Sequence, residues 1–195
     1  SVDLKSSVEA EMREILGLPA RTTVVDVFVG GKFGAVERDF KHIESLLKSI
    51  LAEAKEQYSI TGYYKAAVKR EPGFESVTFV VKVAKREDRR VMEKEIPLVF
   101  WIRFTDLNEK ALGKANQIWE GANIIILTLE ECKHEVLAKA QKTFNVATIV
   151  YLPPEVMYFI IAGSKIRDLR IAEALRALFA ETYKYSILEA IRGLV

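Results

Sequence analysis

The spacing of apolar side chains changes along the chain, and each change marks an element. Over residues 2–16, Leu4, Val8, Met12 and Ile15 recur at helical spacing, with Gly17 and Pro19 as the stop. Residues 21–29, RTTVVDVFV, are rich in β-branched side chains and predict a strand that feeds the glycine turn GGKFG. A long helix over 36–57 follows, carrying Phe40, Ile43, Leu47, Ile50 and Leu51 on one side. The period then drops to two. YSITGYYKAAVKR and ESVTFVVKVAKR alternate on either side of the turn EPGF, and Val77, Phe79, Val81 and Val83 fall on one face of an antiparallel pair. The charged run REDRRVMEKE predicts a second turn before PLVFWIRF.

Between residues 97 and 152 short apolar runs alternate with segments of helical length: PLVFWIRF, a helix over 106–120, NIIILTL, a helix over 130–144, and VATIVYLP. That alternation is the signature of parallel strands joined by crossover helices. Ile124, Ile125, Ile126 and Leu127 are uniformly apolar, as strands covered on both faces are, so 98–104 is expected as a central strand flanked by 124–129. After Pro153 and Pro154, VMYFIIAG predicts one more strand. Ser164 is the expected cap of a carboxyl-terminal helix bearing Leu169, Ala172, Leu175, Phe179, Leu188 and Ile191. With no repeat and no low-complexity linker, the expected architecture is a single α/β domain over residues 1–195 with a mixed sheet.

Composition narrows the function classes. At 195 residues and 50% hydrophobic, the chain suits a single core. The net charge of +2, from 29 basic and 27 acidic residues, gives no overall field of the strength a highly basic nucleic-acid binder has, so any such site must be a local patch. The single cysteine, Cys132, excludes an intramolecular disulfide, and His42 and His134 form no zinc pattern. A reducing, cytoplasmic setting is expected. No apolar run approaches the roughly 18 residues of a membrane span, and no basic-then-apolar leader opens the sequence, so no membrane association is expected. Abundant charge with few Gln and Asn is the bias of thermophile proteins.

The order helix, three strands, helix, strand, together with the text VFWIRFTD, ALGKANQIWEGAN and IIILTL, resembles the PD-(D/E)XK nuclease superfamily over about residues 35–152. This is the restriction-endonuclease-like and Holliday-junction-resolvase-like group. The resemblance implies a core of that element order with additional terminal helices and strands. It also implies a site in which acids of the second and third strands hold a divalent metal, while a strand lysine positions or activates the attacking water. Magnesium chemistry of that kind needs hard oxygen ligands. This sequence departs from the pattern. The Glu-x-Lys positions are matched by Trp101 and Arg103, the second strand offers only Glu75 at its start, and Glu37 alone matches the family's helical glutamate. A degenerate site follows, with Glu37, Arg103, Asp106, Glu131 and Lys133 as catalytic candidates; Mg2+ is expected only if the site is intact, and otherwise no cofactor.

An alternative alignment takes Glu131-Cys132-Lys133 as the Glu-x-Lys triplet. Because Val136, Leu137, Ala140 and Phe144 then follow at helical spacing, helix-terminal charges are the preferred reading. Arg103, on a strand face with Trp101, must be paired or face a groove: a phosphate contact and an ion pair with Glu37 or Asp106 both fit. Gly30, Gly31, Lys32 and Gly34 offer backbone N–H groups to an anion, as in a Rossmann-like nucleotide-binding regulatory domain. They lack both GxGxxG and the P-loop spacing, and a plain turn is preferred. Lys65, Lys69, Arg70, Lys82, Lys85, Arg86, Arg89, Arg90 and Lys94 gather on the antiparallel strands with Tyr63, Tyr64 and Phe74, as a nucleic-acid face requires. Interspersed Glu71, Glu75, Glu87, Asp88, Glu93 and Glu95 favour instead a solvated, salt-bridged edge.

The expected function is therefore a catalytically degenerate relative of nucleases that binds DNA or RNA or serves a nucleic-acid-processing assembly. A nucleotide-binding regulatory domain is one alternative. An interaction subunit without a site, its terminal helices forming a homodimer interface, is the other.

Overall fold

The computed structural model of the chain describes residues 3–21, 40–71, 74–103, 108, 110, 122–129, 133–143 and 145–194. The chain divides into two compact units, residues 48–151 with 185–195, and residues 1–47 with 152–184.

The first of these holds a five-stranded mixed sheet in the order β1-β2-β3-β4-β5. β1 (Ile60–Glu71), β2 (Phe74–Glu87) and β3 (Arg90–Arg103) are antiparallel neighbours, as period two predicts. β4 (Asn123–Thr128) and β5 (Val146–Tyr151) then add in parallel, so β3 is the central strand. Its apolar half is buried because both faces are covered. On one face Val99, Trp101, Ile124 and Ile126 form a cluster with Ala140, joined by the half-buried Val136 and Leu137 of α3 (His134–Thr143). On the other, Phe79 and Phe100 meet edge to face at 6.0 Å between ring centroids.

The charged run 86–95 is not a loop. Only Asp88 and Arg89 turn, both with left-handed φ (45° and 67°), the geometry of a two-residue mirror-image hairpin turn. β1 ends its pairing at Val83, so the hairpin continues past the sheet edge as a two-stranded arm, exposed from Lys85 to Glu95. Exposure on both faces, and not a loop, explains the charge density.

In the second unit α1 (Leu4–Leu16) starts at Asp3, whose carboxylate accepts the Ser6 N–H, and ends at Gly17 with φ 64°. The first turns of α2 (Lys41–Tyr58) belong here; the helix covers the predicted span from residue 41 onward and ends one residue past it, at Tyr58. The segment expected as a last strand is instead α4 (Pro154–Ala162), with Val156 through Ala162 all buried. A continuous apolar run looks the same as strand or as a helix buried all round. Proline at the first helical position, where its missing N–H costs nothing and its fixed φ suits a helix, agrees with the helical outcome. A 3-10 turn (Gly163–Lys165) follows, and α5 (Leu169–Leu194) is capped not by Ser164 but by Asp168, whose Oδ1 accepts the Arg170 N–H at 2.9 Å. Leu169 is 75% exposed, whereas Leu175, Phe179, Leu188 and Ile191 of the same helix are each buried. Among the described residues no helix is long and apolar enough to cross a membrane.

Candidate functional site

In sheets with parallel strands, ligands collect at the carboxyl ends of those strands. Here that end carries an unusual load of buried polar side chains. The register sets Arg103 of β3 beside Thr128 of β4, and Thr128 beside Tyr151 of β5. Side chains in register share a face, and at about 4.8 Å between strands the three span roughly 10 Å. One step inward on that face, Ser76 of β2 lies opposite Trp101. Arg103, Thr128 and Ser76 are all buried, with Arg103 only 4% exposed, while Tyr151 at the outer end is 40% exposed.

A buried guanidinium is costly unless charge or polarizable surface answers it. Arg103 lies over the Trp101 ring, 5.1 Å from its centroid, a cation–π contact of about 2 kcal/mol when desolvated. The alternation of β3 that placed both residues on one face thus produces a real pairing. Guanidinium and hydroxyl donors in a row suit an anion with several oxygens, such as phosphate.

Glu75 does not join this row. It lies opposite Ile102 in β3 and Arg70 in β1, hence on the other face from Arg103, and its buried carboxylate pairs with Arg70 at 3.6 Å. Among the described residues of β2, β3 and β4 at this end, Glu75 is the sole carboxylate. No group of three or more His, Cys, Asp or Glu that could hold a metal occurs among the described residues. Glu37, Asp106 and Glu131 lie outside the described residues, as do Gly30, Gly31, Lys32 and Gly34 of the glycine turn. Lys133 is exposed just before α3, its carbonyl accepting the Leu137 N–H at 3.1 Å, a helix-start position.

The basic residues of the antiparallel strands are partly neutralised in place. Lys82 pairs with Glu93 at 3.8 Å and sits 5.4 Å over the Tyr64 ring; Lys85 pairs with Glu87 at 3.6 Å. The Tyr64 hydroxyl donates to Glu95 at 3.3 Å, and the Tyr63 and Phe79 rings meet edge to face at 6.1 Å between centroids. Lys65 and Lys69 on β1, and Arg86, Arg89, Arg90 and Lys94 on the arm, are exposed and form no ion pair with the described residues.

Sequence reasoning singled out Arg103 but missed Ser76, Thr128 and Tyr151. Their alternation along each strand was visible, but the row exists only through register between strands. Comparison with family models, curated proteins and solved structures found no match.

Proposed function

We propose that this protein binds nucleic acid without cutting it, contacting phosphate through Arg103, Thr128 and Tyr151 at the carboxyl ends of β3, β4 and β5. The observation that carries this reading is the row itself: a buried arginine and two hydroxyls on one face at the carboxyl ends of three neighbouring strands. The order α2, three antiparallel strands, then a strand parallel to the third supports descent from a PD-(D/E)XK-type core, which is fold-level analogy. The unpaired cations of β1 and the arm supply additional phosphate contacts.

Binding of single- and double-stranded DNA and of RNA, followed by anisotropy over a salt series, tests the proposal. Affinity falls as salt rises, because neutralised phosphates release counterions. Tyr151→Phe removes one donor at an exposed position and weakens binding roughly tenfold, the value of a hydrogen bond to a charged group. Arg103→Lys keeps the charge but loses the bidentate fork, with a similar loss. No binding at low salt overturns the proposal and returns the chain to an interaction subunit, for which the exposed Val91 and Met92 of the arm are the supporting observation.

A further inference from the structure

The unit formed by residues 1–47 and 152–184 holds a cleft of about 680 Å³, within the range of small-molecule sites. One wall is a stripe of α1, with Leu4, Ser7, Glu11 and Glu14 at helical spacing; the other is the start of α5.

Glu11 is the group around which the cleft is organised. It is 9% exposed, and its Oε1 accepts the backbone N–H of Arg167 and, at 3.4 Å, that of Asp168. Those donors lie just ahead of α5, where a helix's amino end attracts negative charge. Its Oε2 is buried and accepts no hydrogen bond from the described residues. The hydroxyl of Tyr158, fully buried on α4, also has no hydrogen-bond partner among the described residues. Burial first, and the Glu11 charge second, hold that phenol well above its ordinary range against the opposing pull of Arg167, so it stays protonated. The other charges of the cleft are matched. Glu14 pairs with Arg167 at 3.2 Å and Asp168 with Arg170 at 3.2 Å, whereas Glu11 makes no ion pair with the described residues. Three carboxylates against two guanidiniums leave one negative charge, and it is the buried one.

We propose that this cleft binds a primary amine carried on a short apolar chain, with the ammonium against the Glu11 carboxylate and the chain against Leu4, Ala10 and Ile171. An ammonium offers three donors and no acceptor, and it is compact enough to approach a carboxylate held between two helices. A carboxylate-bearing ligand meets the charge of Glu11 and is repelled. An alcohol of the same length supplies one donor and no charge.

The test uses the full chain with hexylamine, 1-hexanol and hexanoate as probes, read by calorimetric titration and thermal shift at constant ionic strength. Hexylamine binds saturably and raises Tm, hexanol binds roughly tenfold more weakly, and hexanoate does not bind. Glu11→Gln retains an acceptor for the two backbone N–H groups and replaces Oε2 by a donor, so the fold is kept while amine affinity falls by about tenfold or more. Ala174→Trp, on the exposed wall of the cleft, obstructs the site without touching the carboxylate and also abolishes the saturable phase. Absence of saturable hexylamine binding, or equal binding by the wild type and Ala174→Trp, overturns the proposal. Equal binding by a folded Glu11→Gln does so too.

Discussion

Gly163 shows how a single residue can be fixed by its neighbour and not by its backbone. Its φ of −55° is open to any amino acid, but a Cβ built there would stand 1.7 Å from His42 Nε2. The imidazole has little room to retreat, since it stacks on Phe159 at 4.0 Å between centroids. Gly163→Ala therefore destabilises the protein by about 2 kcal/mol, the scale of core overpacking. His42→Ala in the same background recovers part of that loss, because the ring that the methyl group meets is gone. Urea denaturation of the two single variants and the double variant measures the coupling; additive effects would mean that the close approach is not what selects glycine. None of this was legible in the sequence, where Gly163 marked only the end of an apolar run. Arg103 was legible, because strand alternation alone put it on the face of Trp101, and their cation–π contact follows from two residues at i and i+2.

Elements were legible wherever period and surroundings agreed. α1, β1, β2, β4 and β5 follow the predicted spans closely, and β3 does so over its apolar half. They were misjudged where burial was uniform. α4 is apolar on every side, so its pattern carried no period, and the arm of β2 and β3 is polar on every side, so it passed for a loop. The arm's turn is also where a local choice costs stability, since Asp88 and Arg89 both hold left-handed φ, which glycine adopts without the clash a Cβ brings. Arg89→Gly removes about 1 kcal/mol of that strain and stabilises the hairpin tip. Because the tip extends beyond the pairing of β1, the gain is local. Amide exchange at residues 84–87 and 90–93 slows roughly fivefold while Tm barely moves. A Tm rise as large as the local protection would instead make the arm part of the cooperative core.

At the scale of the whole molecule, the central place of β3 beside β4 was legible because both runs are too uniformly apolar to be edges, and the observed sheet places β3 at its centre with β4 next to it. The site was less legible, because its chemistry depends on which face each side chain takes once strands are in register. That geometry bears directly on catalysis. A magnesium-dependent phosphodiesterase needs several oxygen ligands converging on one metal. On the Arg103 face, the third strand contributes an indole and a guanidinium and the second contributes Ser76, while Glu75 turns to the opposite face and pairs with Arg70. Arg103 keeps its charge near neutral pH, so it neither accepts a proton from water nor tolerates a neighbouring divalent cation. We therefore expect no robust cleavage of single-stranded, double-stranded or branched DNA, or of RNA, with magnesium or manganese. Glu37→Ala, Asp106→Ala and Glu131→Ala are the controls, since these are the carboxylates that the sequence offers as candidate metal ligands. Cleavage by the wild type that any one of them abolishes would overturn the expectation and identify an active nuclease with that residue as a metal ligand. Cleavage that survives all three would point to a contaminating activity.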